Sequence, residues 1–281
     1  MKLKQKISPH ALPTLSPSRI IVLLAALMAV AIAHAANASE LMISRRGNLP
    51  ILLTAPHGGS YVLPGVAART SNLAVITTDA RTLELTEALA SKLKELLGHE
   101  PYVVAARFHR RYLDANRRAS DAYESDKAEP YYTDYHRRIR DFVTEIRQKY
   151  PQGALLLDIH GQGSAPNTLH RGTQNGSTVE KLLAKHSPAA LIGEKSVFGV
   201  FSAKGREVFP PNTHIGNPPE DKRYSGGYIV RTYGSNNADG IDAIQLEFGA
   251  NMRREARVVD DVAEAIAVFY KTYLIEPAQK P

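Results

Sequence analysis

Apolar residues along this chain fall into short continuous runs, separated by longer stretches in which they recur at helical spacing. The runs are five to seven residues long, which suits buried strands better than helices. They predict strands at 49–55, 102–106, 154–159, 196–201 and 241–247. Because these runs alternate with helical patterns, they predict an α/β fold in which a sheet is layered with helices.

The helical patterns lie between the predicted strands and after the last of them. Leucines recur at intervals of three and four residues in the first pattern, and the second has one apolar face. Thr133 and Ser177 are suitable N-cap residues for the second and third helices. Together the patterns predict helices over 79–97, 133–150, 177–185 and 258–273.

The N-terminal segment has the pattern of a secretory signal peptide. Its first 19 residues contain four basic side chains and no acidic one, and an apolar run from Ile20 to Ile32 follows. Small residues suited to cleavage come next, up to Ala38. The sequence therefore predicts a cleaved signal peptide over 1–38, a single catalytic domain over 39–281, and a periplasmic or secreted protein. The apolar run is shorter than the roughly 20 residues of a spanning helix, so no stable membrane anchor is expected after cleavage.

Net charge and cysteine content exclude several kinds of binding site and catalytic group. The formal net charge of +7 falls to about +3 without the leader, which is too small to predict nucleic-acid binding. The chain contains no cysteine, so disulfides, a thiol nucleophile and thiolate metal ligands are excluded. Any metal ion must be bound by histidine, aspartate and glutamate side chains.

Three polar residues stand at or just past the ends of predicted strands: His57, His160 and Glu247. Ligands of open α/β sheets bind at the carboxyl ends of the strands, so these distant residues are expected to converge. Asp158 lies on the same strand face as His160 and could fix the tautomer of a metal-binding imidazole.

Two histidines without cysteine favour a zinc site whose third ligand is a carboxylate. Asp79 is the better placed candidate, because it begins the helix that follows His57, and Glu84 is the alternative. Glu247 is costly at the end of an apolar strand unless it is paired or functional, and is predicted to act as a general base.

Arginine side chains are suited to binding a substrate carboxylate, because the guanidinium is a planar fork of donors. Arg117 and Arg231 are the predicted carboxylate clamp. Arg107 and Arg110, in contrast, are expected on a solvated basic face.

Taken in order, these motifs resemble the N-formylglutamate amidohydrolase family, which is related to the zinc carboxypeptidases. The resemblance runs from about Ile51 to about Arg254 and has these stretches: Pro56-His57-Gly58-Gly59, Asp79 at the head of a helix, Arg110 to Arg117, Asp158-Ile159-His160-Gly161, Gly226 to Arg231, and Gln245-Leu246-Glu247.

The resemblance implies a three-layer α/β fold of the phosphorylase/hydrolase-like type, with a central mixed, mostly parallel sheet flanked by helices. It implies His57 and His160 as zinc ligands with an acidic third ligand. It also implies that Asn116 and Arg117 form a carboxylate-binding pair and that Glu247 is the general base.

The sequence thus predicts an exported, zinc-dependent amidohydrolase that cleaves an amide bond next to a carboxylate. N-acyl amino acids, the C-terminal residues of peptides and cell-wall peptides are the expected substrates. Two alternatives stay open at this point: a non-catalytic exported protein that binds a carboxylate ligand, and a structural protein of the cell wall.

Overall fold

The computed structural model describes residues 40–275. The predicted signal peptide, residues 1–38, lies outside these residues, and the predicted extent of the catalytic domain stays a prediction. Among the helices of the described segment, none has both the length and the apolar character needed to cross a bilayer.

A seven-stranded mixed sheet forms the centre of the described part of the chain. Its strands are β1 (Met42–Arg45), β2 (Ile51–Ala55), β3 (Tyr102–Ala106), β4 (Leu155–Gln162), β5 (Thr168–Gly172), β6 (Glu207–Phe209) and β7 (Asp242–Gly249). They lie in the order β1-β3-β2-β4-β7-β5-β6. The pairs β1–β3 and β5–β7 are antiparallel, and the other neighbours are parallel.

Helices connect these strands. They are α1 (Thr82–Leu97), α2 (Ala119–Ala122), α3 (Glu129–Lys149), α4 (Glu180–His186), α5 (Ala189–Ile192), α6 (Val197–Ala203), α7 (Tyr228–Tyr233) and α8 (Arg257–Phe269). A π-helical turn, Tyr270–Leu274, continues α8, and short 3-10 turns cover Asp126–Ala128, Ser177–Val179 and Met252–Arg254.

Apolar side chains cover both faces of the sheet, because successive residues of a strand point to opposite sides. Leu53, Leu157 and Leu246 belong to the core that packs against α1, α6 and α8. Leu52 and Leu156 belong to the second core, on the side of α3 and α7. The helices therefore flank the sheet in two layers, and the predicted α/β fold with a mixed, mostly parallel sheet is confirmed.

One predicted strand is wrong. The run at 196–201 forms helix α6, which begins after Ser196, whose side chain accepts a hydrogen bond from the Gly199 N–H. The buried residues Val197, Phe198 and Phe201 follow helical spacing, but a run this short does not distinguish a helix from a strand.

Helix boundaries differ from the predicted ones where polar residues gave the signal. Helix α3 begins at Glu129, with a proline in its first turn, so Thr133 lies inside the helix instead of capping it. The strands β1, β5 and β6 were not predicted, because they are three to five residues long and carry polar side chains.

Candidate metal centre

The sheet brings His57 and His160 to one edge. Strands β2 and β4 are parallel neighbours with Thr54 opposite Asp158, so both strands end at the same side of the sheet, the one formed by their carboxyl ends. His57 follows the end of β2 by two residues, and His160 lies near the end of β4. The Asp79 N–H donates to the His57 carbonyl over 3.1 Å, which places Asp79 beside them, just before α1; the helix itself begins at Thr82, not at Asp79 as predicted.

Three ligand atoms converge at this point. His57 Nδ1 lies 3.2 Å from His160 Nδ1, and Asp79 Oδ2 lies 3.4 Å and 3.2 Å from these two nitrogens. A tetrahedral zinc ion with bonds of about 2.0–2.1 Å separates its ligands by about 3.3–3.4 Å. The spacing of the three atoms therefore suits a tetrahedral ion with one position open to the cavity.

The far nitrogen of each imidazole faces a buried carboxylate. His57 Nε2 lies 2.6 Å from Asp114 Oδ1, and His160 Nε2 lies 2.8 Å from Asp158 Oδ2. An ionised carboxylate only accepts, so each Nε2 carries a proton and Nδ1 is the nitrogen left to bind a metal ion. This is how outer carboxylates orient metal-binding histidines. The two Nδ1 atoms and the Asp79 carboxylate then point at one another, an arrangement that positive charge between them stabilises.

The surrounding acids favour positive charge at this point. Burial alone would lower the pKa of His160, but the charge and hydrogen bond of Asp158, together with Asp79, raise it well above its usual value. Burial alone would raise the pKa of Asp79, but His57 and His160 hold it well below its usual value. The donor set and its electrostatics therefore fit a bound divalent cation.

Arg110 belongs to this buried network. Its Nη1 donates to Asp79 Oδ1 over 3.2 Å, and its Nη2 donates to Asp114 Oδ2 over 2.6 Å. The side chain is 5% exposed, so the prediction of a solvated basic face is wrong for Arg110. Arg110 thus connects Asp79, which lies between the two imidazoles, to Asp114, which contacts the far side of His57, and it holds both carboxylates in place.

The glycines after His57 allow the loop to pass close to its neighbours. A Cβ on Gly58 would collide with the backbone of Leu83, and one on Gly59 would collide with the backbone of Arg107. Glu84 does not join the cluster: it is exposed on α1 and lines a separate surface groove. Of the two candidates for the third ligand, only Asp79 lies with the imidazoles.

Glu247 is the register partner of His160, so the two side chains lie side by side on the same face of the sheet. It is 6% exposed and accepts a hydrogen bond from Gln245 Nε2 over 2.9 Å. Burial raises the pKa of Glu247 to about 7. A carboxylate with this pKa is matched to taking and returning a proton near neutral pH.

A cavity of about 890 Å³ opens over these residues. It is lined by His57, Asp79, His160, Glu247, Asn116, Arg117 and Arg231. Three further basic residues that were not predicted also line it: Lys222, Arg223 and Arg253. The predicted ligands His57, Asp79 and His160, the predicted base Glu247 and the predicted substrate-binding residues therefore line one cavity.

Their side chains are engaged to different degrees. The guanidiniums of Arg117 and Arg231 hydrogen-bond only backbone carbonyls within the described residues, those of Asn116 and Gly227. The amide of Asn116 is instead buried, and its Oδ1 accepts the Ile229 N–H over 2.8 Å. The two arginines are therefore available to an anionic ligand, whereas Asn116 also holds the start of α7.

Comparison with known families gives one match. The model of the N-formylglutamate amidohydrolase family matches residues 124–252. This segment includes His160, Arg231 and Glu247, and it begins after His57, Asp79 and Arg117. No curated protein matches the sequence.

Solved structures extend the comparison to most of the chain. The N-formylglutamate amidohydrolase of Ralstonia eutropha JMP134 superposes with a TM-score of 0.51 at 15% identity, over 82% of this chain and 95% of that one. A gene product of Agrobacterium tumefaciens gives a TM-score of 0.53 at 14% identity, over 82% and 94% of the two chains. At these identities the structures show a shared fold. The family match and the shared fold confirm that this chain resembles the N-formylglutamate amidohydrolases, a family of amidohydrolases.

Proposed function

We propose that this protein is a metal-dependent amidohydrolase that uses zinc to cleave an amide bond next to a carboxylate. One observation carries the proposal: the Nδ1 atoms of His57 and His160 converge with the Asp79 carboxylate at 3.2–3.4 Å, beside a buried glutamate and under an open cavity. The match to an amidohydrolase family supports the same reaction.

His57, Asp79 and His160 would hold the ion. Two imidazole nitrogens with one carboxylate oxygen are a common ligand set of catalytic zinc. When bound there, zinc supplies Lewis-acid polarisation of a carbonyl group and lowers the pKa of water. Asp114 and Asp158 keep the imidazoles in the tautomer that presents Nδ1 to the ion.

Glu247 would move the proton. Its carboxylate takes a proton from the attacking water and then donates it to the nitrogen of the leaving amine. Both steps need a group whose protonated and ionised forms are close in energy, and burial brings Glu247 toward that condition. A bound cation would favour the ionised form, which is the form that accepts the first proton.

Arginine side chains in the cavity would select a substrate that carries a carboxylate. Arg117 and Arg231 line the cavity, and none of the salt bridges within residues 40–275 involves either guanidinium. Arginine binds a carboxylate through two parallel hydrogen bonds. N-acyl amino acids and peptides that present a carboxylate next to the scissile amide are therefore the proposed substrates.

Export is part of the proposed function. The basic leader, the apolar run and the small residues before Ser39 support a cleaved signal peptide and a periplasmic or secreted enzyme. Fractionation of cells followed by N-terminal sequencing of the protein tests this. A mature N-terminus near residue 39 is expected, and an intact leader on a cytoplasmic protein would contradict export.

The enzymatic part is tested on the purified mature chain. Elemental analysis is expected to find one zinc per chain, and hydrolysis of N-acyl amino acids or short peptides is expected to stop with a chelator and return with zinc. Each acid should be assayed beside its C-terminal amide, which lacks the charge and should be cleaved far more slowly. Tight binding of the acids without turnover would instead favour the non-catalytic alternative.

A further inference from the structure

Gln245 lies two residues before Glu247 on β7, so both side chains point to the same face of the sheet. They are 3% and 6% exposed. A buried amide is costly unless its donors and acceptors are satisfied, so the partners of Gln245 explain its place beside Glu247.

The orientation of the Gln245 amide follows from a backbone contact. The Gly227 N–H lies 2.7 Å from Gln245 Oε1, and a backbone N–H can only donate. The oxygen of the amide is thereby assigned, and the NH2 group must face the other way. It donates to Glu247 Oε1 over 2.9 Å.

Asn116 reinforces this arrangement. The Ile229 N–H donates to Asn116 Oδ1 over 2.8 Å, so the Asn116 NH2 group faces the other way, 3.1 Å from His160 Nε2 and 3.4 Å from Gln245 Oε1. A Cβ on Gly227 would collide with the Asn116 amide, so the backbone before α7 packs directly on it. Gln245, Asn116 and the start of α7 therefore form one packed unit, and α7 carries Arg231.

The Glu247 carboxylate needs such a partner. The terminal torsion of a glutamate is soft, and packing alone does not fix it. Within residues 40–275, Gln245 is the one side chain that hydrogen-bonds Glu247. The bond occupies Oε1 and leaves Oε2 for a ligand in the cavity.

We propose that Gln245 is a positioning residue that fixes the orientation of the Glu247 carboxylate and ties it to the segment that carries Arg231. This inference rests on the proposed role of Glu247 as the general base. The base and the carboxylate clamp then keep a constant separation, because one amide contacts both the Glu247 carboxylate and the Gly227 backbone.

Two substitutions test the proposal in the zinc-loaded mature protein. Gln245→Met keeps the length of the side chain and removes both hydrogen bonds. We expect kcat to fall about tenfold to a hundredfold, the value of one hydrogen bond to a charged group, while KM changes by less than about threefold. Zinc content should not change, and a crystal structure should show the Glu247 carboxylate in a second orientation.

Gln245→Glu separates positioning from a structural role. The new carboxylate still accepts the Gly227 N–H, so a purely structural role would be rescued. With both carboxylates ionised it also places an acceptor against Glu247 Oε1, so positioning would not be rescued in the form that can accept a proton. We expect kcat to stay low and the acidic limb of its pH profile to move to higher pH, because two neighbouring carboxylates share a proton.

Gln162→Met is the matched control. Gln162 is a buried glutamine near the end of β4, the strand beside β7, and its amide donates to the Ala165 and Thr168 carbonyls. The same chemical change there should leave the Glu247 carboxylate in its single orientation.

A Gln245→Met protein with Glu247 unmoved and kcat within twofold of wild type would overturn the proposal. The crystallographic comparison needs no turnover. If the wild-type protein hydrolysed no substrate, the proposed function would fail while the structures would still decide whether Gln245 orients Glu247.

Discussion

Two buried acids on the same strand have different surroundings. Asp242 begins β7 and Glu247 lies near its end, and they are 5% and 6% exposed. Burial raises the pKa of both carboxyl groups. Asp242 Oδ1 accepts hydrogen bonds from the Ser235 hydroxyl over 2.6 Å and the Leu182 N–H over 3.0 Å.

Within residues 40–275, the Glu247 carboxylate accepts one hydrogen bond, from Gln245, and it faces a cavity lined by arginines. The two carboxylates therefore differ in the hydrogen-bond donors that the fold supplies to them. Two donors of the fold bind the Asp242 carboxylate, whereas Glu247 has one and lines the cavity that also contains His57, Asp79 and His160. Burial and a raised pKa alone therefore do not distinguish a functional acid from a structural one, and the hydrogen-bond partners do.

The largest expected effect concerns the metal. Asp79→Asn removes the charge of the third ligand and should abolish stoichiometric zinc binding, and with it at least about 10³-fold of the hydrolytic rate. Elemental analysis after dialysis against zinc measures the first, and steady-state kinetics the second.

Glu84→Gln, an exposed acid in the first turn of α1, is the matched control and should keep its zinc. Full zinc content in Asp79→Asn together with its loss in Glu84→Gln would overturn the ligand assignment.

Glu247→Gln gives the next largest effect. It keeps the size of the side chain and removes the proton acceptor, so kcat should fall about 10²–10⁴-fold with zinc content and KM little changed. Steady-state kinetics of the zinc-loaded variant measure this. Full activity would remove Glu247 from the mechanism and leave the metal site standing.

Substitutions of the two carboxylates behind the imidazoles, Asp114 and Asp158, should have smaller effects on zinc binding. Asp114→Asn and Asp158→Asn keep the hydrogen-bonding shape but weaken the hold on the imidazole tautomers, so zinc affinity should fall about tenfold to a hundredfold. Competition with a zinc chelator measures it. Unchanged affinity in both variants would show that the histidines are oriented by packing alone.

The contrast between these acids also shows what the sequence could predict. His57, His160 and Glu247 were expected to converge because each ends an apolar run, and strand ends of a parallel sheet meet at one edge. Asp158 was found as a partner of His160 because two residues on one strand share a face.

The partner of His57 followed no such rule. Asp114 lies 57 residues away on an irregular loop, and its contact depends on how that loop packs. The solvated position predicted for Arg110 is wrong for the same reason. A basic stretch gives no sign in the sequence that two buried carboxylates lie beside it in the fold. The prediction for 196–201 is wrong for a different reason: a mostly apolar run of six residues fits a strand or a helix equally well, and tertiary packing decides between them.

Asp242→Asn is expected to have the smallest effect, and its sign is informative. The folded-state pKa of Asp242 is raised, so the folded protein binds this proton more readily than the unfolded chain. Its contribution to stability is therefore fully present below the unfolded pKa of about 3.9 and declines as the pH rises through the folded value. An asparagine Oδ1 still accepts from Ser235 and Leu182 and carries no charge to desolvate.

The free energy of unfolding of Asp242→Asn at pH 7 should therefore equal or exceed that of wild type by up to about 1 kcal/mol, with catalytic rate unchanged. Urea unfolding at pH 4 and pH 7 measures the difference, which should be larger at pH 7. A loss of activity in this variant would place a functional acid at both ends of β7. It would remove the distinction between a carboxylate satisfied by the fold and one left open to the cavity.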